Sequence, residues 1–453
     1  MLRYIFRSKL LWNHRYVHGM QKINQRKSFI DDLFSKVNSD EAEAQFSTNK
    51  RDNSSPNANA DEGGTRIQLT RIKTDNLSSN CNEDGAEIQL PPNKMWLLDK
   101  GPPTKAMITR EEGVQTLKEM TFYRELESEI LKLYQKKLIR GYCHLYNGQE
   151  AVCSGCVKAL REGDKVITAY RCHMWVCKLG TPPLDMVAEC LQKETGNVKG
   201  RGGSMHMYNE KLFGGNGIVG AHVPLGTGIA FAMKTRNEKN VCVTVFGDGA
   251  ANQGQVFEAL NLAALHKLPI IYLIENNQYG MGTSISRSSA TSEYFRRIDF
   301  VPGIWVDGMN YIGVRECMKF AINHAQEHGP IIVEANTYRY MGHSVSDPGI
   351  KYRSRQEIDH VRDTVDPIKT LSDILIKANF LTPDDRKSIT EEQRKIVKEI
   401  SDKANADKMP SLNELCKNIY AKPIETTVRG TNAFDCHDGQ AYLSLLIQSK
   451  REM

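Results

Sequence analysis

The sequence predicts an α/β fold with buried parallel strands, and three observations carry that reading. Val241 to Phe246 and Ile270 to Ile274 are short, apolar and rich in β-branched residues, the composition of strands covered on both faces. Between them, Gln253 to Lys267 sets Val256, Leu260, Ala263, Ala264 and Lys267 at helical spacing, with Pro269 as a stop. Gly247-Asp248-Gly249 turns the first strand into that helix. Strand, helix and strand make one βαβ unit, so both strand ends reach the same sheet edge, where open α/β sheets take their ligands.

Composition narrows the class. A chain of 453 residues with 40% apolar content has enough material for a large core. No apolar run is long enough for a membrane span. The net charge of +6 is mild, and no basic stripe interleaved with aromatics supports nucleic-acid binding. The 11 cysteines are scattered, against a disulfide framework. Cys153 and Cys156, with Cys172 and His173 nearby, can be read as a zinc site. The small residues around them and the lack of a second CxxC favour buried, reduced thiols.

In chain order, residues 1–30 carry Arg3, Arg7, Lys9, Arg15, Lys22, Arg26 and Lys27 and no acidic residue, with Leu2, Ile5, Phe6, Leu10 and Trp12 placed for an apolar helical face. That is the pattern of a mitochondrial transit peptide, and the arginines interrupt any secretory-type apolar core. Residues 31–86 read as a disordered spacer, because the polar run from about Asn38 to Glu87 buries too little apolar surface to offset its ordering entropy. Globular order is expected from near Met95. Thr109 with Glu111 and Glu112 marks a helix start, continued by Met120, Tyr123, Leu126, Ile130, Leu133 and Leu138. A turn through His144 and Gln149 leads into a small-residue helix, Ala151 to Leu160. A short strand from Asp164 then ends at Tyr170 and Arg171, where a guanidinium can grip a phosphate bidentately and a phenol can add a hydroxyl bond.

Two glycine-rich loops follow, Lys199 to Met207 and Gly214 to Gly220, the second running into a helix at Ile229 to Met233. Backbone groups in such loops can approach the edge of a flat heterocycle. Beyond the βαβ unit, Tyr311 to His328 is a helix and Ile331 to Ala335 a strand. Its continuation, Thr337 to Gly349, is a candidate active-site lid containing His343, Ser344 and Ser346, with Tyr352 to Glu357 as a charged hinge. The chain from Asp366 to Ile419 reads as peripheral helices.

The βαβ geometry sets Asp248 beside Asn277. One carboxylate, one amide oxygen and nearby carbonyls suit a hard cation such as Mg²⁺, with phosphate oxygens and water filling its remaining positions. The glycines flanking Asp248 admit a diphosphate, and the helix N-terminus behind them favours its charge. Gly-Asp-Gly followed at this distance by Asn-Asn resembles the thiamine-diphosphate-binding motif.

Taken with Tyr170-Arg171, Gly-Gly-Ser-Met-His206-Met, Gly-Gly-Asn-Gly-Ile-Val-Gly220 and Gly342-His-Ser-Val-Ser-Asp-Pro-Gly349, that motif makes residues 87–432 similar to the alpha subunits of mitochondrial pyruvate dehydrogenases (acetyl-transferring), in the thiamine-diphosphate-dependent 2-oxo acid dehydrogenase family. The resemblance implies a doubly wound, mostly parallel sheet of the thiamine-diphosphate-binding fold. It also implies an α2β2 heterotetramer in the mitochondrial matrix, acting on pyruvate and acetylating the lipoyl group of dihydrolipoyl acetyltransferase. It assigns Mg²⁺ to Asp248, Asn277 and the Tyr279 carbonyl. It assigns the diphosphate to Tyr170, Arg171, His343 and the backbone of Gly249 and Ala250, and the aminopyrimidine to Gly217 and Val219. His144 falls near the substrate, and a glutamate of the beta subunit activates the ring. Ser344 and Ser284 match positions acted on by a regulatory kinase and phosphatase. A phosphate at Ser344 would add about −1.5 to −2 charges beside the diphosphate.

Departures from that pattern are few. Met341 stands where the family usually has His, Lys351 replaces a serine, the spacer is long, and residues 433–453 form a divergent tail. They leave two alternatives: a non-catalytic or regulatory paralogue within the complex, and a branched-chain 2-oxo acid dehydrogenase alpha subunit. The lid sequence argues against the second, and retention of Asp248, Asn277, Arg171 and His343 against the first.

Overall fold

The computed structural model describes residues 77–82, 85–411, 414, 417, 427–429 and 436–438. By internal contacts the chain divides into residues 1–64 and 65–453, and all described residues lie in the second unit. The expected transit peptide, most of the spacer and most of the divergent tail lie outside the described residues.

Regular structure begins ahead of Met95, earlier than the composition indicates. Strands β1 (Leu77–Asn82) and β2 (Gly85–Gln89) pair antiparallel. After β3 (Lys94–Trp96), β4 (Lys105–Thr109) joins the other side of β2. The cause is a short alternation at the end of the polar run: Ala86, Ile88 and Leu90 are buried against Ile108, Leu117 and Met120. Helix α1 (Arg110–Gln135) starts as its sequence predicts, with the Thr109 hydroxyl accepting from the Glu112 N–H at 3.1 Å. It ends before Leu138, which is exposed.

The chain continues through α2 (Glu150–Ala159), β5 (Lys165–Ala169), α3 (His173–Lys178), α4 (Pro183–Cys190), β6 (Leu212–Asn216), α5 (His222–Thr235) and β7 (Cys242–Gly247). A 3₁₀ turn at Ala250–Asn252 precedes α6 (Gly254–Leu265), β8 (Ile270–Asn276), the small hairpin β9 (Tyr279–Gly280) and β10 (Thr283–Ser284), and the short α7 (Ile285–Ser288). Then come β11 (Gly303–Asp307), α8 (Tyr311–His328), β12 (Ile331–Asn336), α9 (Arg355–Val365), α10 (Pro367–Lys377), α11 (Pro383–Ala406) and the pair β13 (Thr427–Arg429) and β14 (Cys436–Asp438). The second glycine-rich loop thus contains a strand, β6, which pairs in parallel with β5 despite its glycines.

The main sheet has seven strands in the order β3-β11-β12-β8-β7-β5-β6, and only β3 is antiparallel. Successive strand residues point to opposite faces, so each face builds its own core. Val243, Val245, Ile271 and Leu273 pack with α2 and α8 on one side. Cys242, Phe246, Ile270 and Tyr272 pack with α5 and α6 on the other. Helices on both faces of a mostly parallel sheet make the fold doubly wound. From β5 the chain goes outward to β6 and returns to β7 on the opposite side, so the strand order reverses between β5 and β7. Among the described residues no helix is long and apolar enough to cross a membrane.

Candidate cofactor and metal site

The site grows from the carboxyl ends of β5, β6, β7, β8 and β12, around that reversal point. Gly247 of β7 lies level with Glu275 of β8, so the residues that follow meet at the sheet edge. Asp248 is buried and accepts from its own N–H and from that of Asn277, which confirms the expected juxtaposition. Its Oδ2 and the Asn277 Oδ1 are both buried with no protein partner. Buried polar atoms are almost always paired, so two unpartnered oxygens from neighbouring strands point to a missing ligand. A carboxylate and an amide oxygen fit a hard dication. Burial pushes the Asp248 carboxyl up to about 6, with Arg339 and Arg171 pulling it partly back, a position that a cation would reverse.

The backbone is shaped for close approach. A Cβ on Gly249 would sit 3.1 Å from the Gly280 Cα, so the Asp248 turn and the β9–β10 hairpin touch through glycines. Gln278, between Asn277 and that hairpin, holds φ +75°, a strained value for a side-chain-bearing residue. It is kept there by its amide, which donates to Asn336 Oδ1 at 2.6 Å. The Tyr279 hydroxyl donates to Glu357 at 2.9 Å, so this side chain faces away from metal chemistry. Ala250 begins the 3₁₀ turn, and the long helix opens at Gly254 with Gln253 as its N-cap, where the sequence predicts it.

A second cluster, of His144, Tyr170, Arg171 and His343, lies at the same sheet edge. The His144 ring lies 4.3 Å from that of Tyr170 and 5.2 Å from that of His343, centroid to centroid. The Tyr170 hydroxyl is 3.4 Å from His343 Nε2. Arg171 does not extend freely from its strand. It donates to the carbonyls of Leu145 and, at 3.0 Å, of His343, so part of its fork holds the turn and the lid together. Burial and the nearby guanidinium of Arg171 hold His144 down at about 2 and His343 at about 3. Both imidazoles are therefore neutral, and His144 Nδ1 is buried without a partner.

Gly217 and Val219 lie just past β6. The Val219 carbonyl accepts from Gln255 of α6 at 3.5 Å, which seats this loop beside the Asp248 turn. His206 braces it from behind, its Nδ1 lying 3.1 Å from the Gly215 carbonyl. The loop carrying His206 is itself gripped by Glu189, which accepts from the N–H groups of Val198, Gly200, Gly202 and Gly203 at 2.7 to 3.1 Å. The same loop is tied a second time, as His173 lies between Glu127 (3.0 Å) and the Ser204 hydroxyl (2.8 Å). His173 is thus part of a carboxylate-imidazole-hydroxyl chain, and Cys153, Cys156 and Cys172 are buried free thiols.

The lid packs closed. Asp347 accepts from the His343 N–H at 2.8 Å, the Gly349 N–H at 2.9 Å and the Tyr352 hydroxyl at 2.6 Å. Ser344 is only 7% exposed, its hydroxyl 2.8 Å from that of Ser346. Ser284, on β10, is 6% exposed and pairs with Ser286. The expected charged hinge is not one: Arg353 is buried and donates to the carbonyls of Arg339, Tyr340, Met341 and Gly349. Four backbone acceptors around one guanidinium make it a strut, and α9 starts immediately after, capped by Ser354. Arg339, Gln149 and Glu189 had no signal in the sequence beyond their residue type. Arg339 places Nη1 3.2 Å from His343 Nδ1 and donates to Tyr352.

The family model described as dehydrogenase E1 component matches residues 118–413. The chain is 49% identical over 336 residues to the pyruvate dehydrogenase E1 component subunit alpha, mitochondrial, of Sminthopsis macroura, covering 74% of this chain and 93% of that protein. It is 49% identical over 340 residues to the probable counterpart of Caenorhabditis elegans, covering 75% and 86%. It is 47% identical over 336 residues to the somatic form of Homo sapiens, covering 74% and 86%.

Proposed function

The chain belongs to the dehydrogenase E1 component family, and from that premise we propose that it is the alpha subunit of a mitochondrial pyruvate dehydrogenase (acetyl-transferring). It catalyses oxidative decarboxylation of pyruvate and reductive acetylation of lipoyl groups, together with a beta subunit. The single observation that carries the site is the pair of buried, unpartnered oxygens on Asp248 and Asn277.

The family works with thiamine diphosphate, which when bound supplies a carbanion on its thiazolium ring. In our reading Asp248 and Asn277, with the Tyr279 carbonyl, hold Mg²⁺. Tyr170, Arg171 and His343 take the diphosphate, helped by the N–H groups of Gly249 and Ala250. Gly217 and Val219 meet the aminopyrimidine through their backbone. His144, a neutral imidazole beside Tyr170, gives a hydrogen bond to the reacting pyruvate. The lid residues from Thr337 to Gly349 exclude water.

Met341 does not disturb this arrangement: it packs against the main core, and its carbonyl takes Arg353 while His144, Tyr170 and His343 cluster without it. Residues 1–30 act as the leader to the matrix and the chain from 31 to the start of β1 as a spacer, with the cofactor-binding domain running from β1 to about residue 432 and 433–453 a divergent tail. A lipoyl domain of dihydrolipoyl acetyltransferase receives the acetyl group. A kinase and a phosphatase act on Ser344 and Ser284, which local opening must first expose.

The test is pyruvate-dependent reduction of an artificial electron acceptor by this chain co-assembled with a mitochondrial beta subunit. Turnover that requires both thiamine diphosphate and Mg²⁺, and that disappears in Asp248→Asn, is the expected result. Assembly and cofactor binding without turnover would overturn the proposal in favour of a non-catalytic paralogue.

A further inference from the structure

We propose that Gln149 is a positioning residue of the metal site, setting the Asn277 amide so that its oxygen faces the cation. The inference rests on the reading of Asp248 and Asn277 as metal ligands. An amide side chain has an oxygen that can bind a cation and a nitrogen that cannot, so a ligating asparagine needs something to choose its orientation. Here the Asn277 NH₂ donates to Gln149 Oε1 at 3.0 Å, and the Oδ1 left facing the other way is the atom without a protein partner.

Gln149 is placed for this and for nothing else visible. It is fully buried and occupies the N-cap of α2, yet makes no capping bond to that helix. Its N–H is committed to the Tyr146 carbonyl at 3.1 Å. Gly148 before it, at φ +100°, approaches the Tyr338 carbonyl so closely that an added Cβ would lie 2.3 Å from it. The backbone that presents the Gln149 side chain is thus held from both sides. Gln149 Nε2 is also buried without a partner, a donor left for an oxygen of the bound ligand. Residues behind metal ligands commonly account for roughly 10- to 100-fold in affinity, by orienting ligands they do not replace.

The experiment uses the assembled alpha–beta enzyme, with Mn²⁺ as a paramagnetic probe titrated in the presence of thiamine diphosphate. Gln149→Met removes the acceptor at similar volume, and we expect Mn²⁺ affinity to fall roughly 10- to 100-fold. Gln149→Glu keeps an isosteric acceptor and should hold Mn²⁺ within about threefold of the parent, since a carboxylate can only accept from Asn277. Parent-like binding in Gln149→Met, or an equal loss in both variants, would overturn the inference. Should Gln149→Met fail to assemble, Gln149→Ala, which also lacks the acceptor, takes its place with the same expected loss and the same overturning result. Asn277→Leu separates the two levels. If it leaves Mn²⁺ binding unchanged, the metal reading itself is wrong. If it abolishes binding while Gln149→Met does not, only the role of Gln149 falls.

Discussion

Neutral imidazoles define what His144 and His343 offer. Each presents one N–H and one lone pair, so the pair can relay a proton without placing fixed positive charge against Arg171 and Arg339. Glu275, one residue before the Asn276-Asn277 turn, shows the opposite burial effect. It accepts from the Tyr146 hydroxyl, and burial pushes its carboxyl from 4.5 up to about 7. Its folded value lies above its unfolded one, so its contribution to stability is complete below 4.5 and is lost as pH rises through about 7. Glu275→Gln removes that titration. Its melting temperature should gain on the parent's between pH 5 and pH 8, and a constant offset across that range would refute the assignment. Ser344 permits a sharper residue-scale prediction. Ser344→Glu places a charge at a buried position next to His343, so pyruvate-dependent turnover should vanish while assembly with the beta subunit persists. Full activity in that variant would sink the lid argument. That Asp248, Asn277, Arg171 and His343 come together was legible because each follows a strand whose end reaches the same sheet edge. Gln149 was not, since its role is one hydrogen bond to a residue far along the chain.

At the scale of elements, strands and long helices follow from short-range pattern, while loops are held by buried charges that pattern does not reveal. β7, α6 and β8 read correctly because apolar periodicity is local. β6 was hidden by its glycines, and β11 and α4 had too few residues to show a period. The Glu189 grip illustrates the rest: a single carboxylate from α4 serves four N–H groups, and nothing in the order of residues marks it. Glu189→Ala leaves buried donors unsatisfied at about 1–3 kcal/mol each, moderated by water entry, and should destabilise the subunit by about 3 kcal/mol. Because the gripped loop supports Gly217 through His206, the variant should also bind thiamine diphosphate more weakly. Calorimetric titration of the cofactor checks this, and unchanged affinity in a folded variant would detach the loop from the site.

For the whole molecule, the sheet gathers five strand ends at one edge, and the doubly wound arrangement was predictable from its βαβ unit and the family resemblance. The strand pair before Met95 was not, because three apolar residues at alternating positions disappear within a polar stretch. In the proposed enzyme this chain lacks the activating glutamate, so alone it should bind Mg²⁺ and thiamine diphosphate weakly and show no pyruvate turnover. Adding the beta subunit should restore activity, and turnover by the isolated chain would refute the division of labour.

The hydrogen bond from Arg171 to His343 spans 172 residues of chain, whereas Asp248 and Asn277 stand on adjacent strands joined by a single helix. Loop-closure entropy separates these two halves in time. Emerging from the ribosome, the chain has both proposed metal ligands, Asp248 and Asn277, before the lid segment exists, and refolding should repeat that order. Pulse-labelled amide exchange should therefore find β7 and β8 protected ahead of the Arg339 to Arg353 segment. The site is finished from its floor upward, and its cover is the last part to arrive.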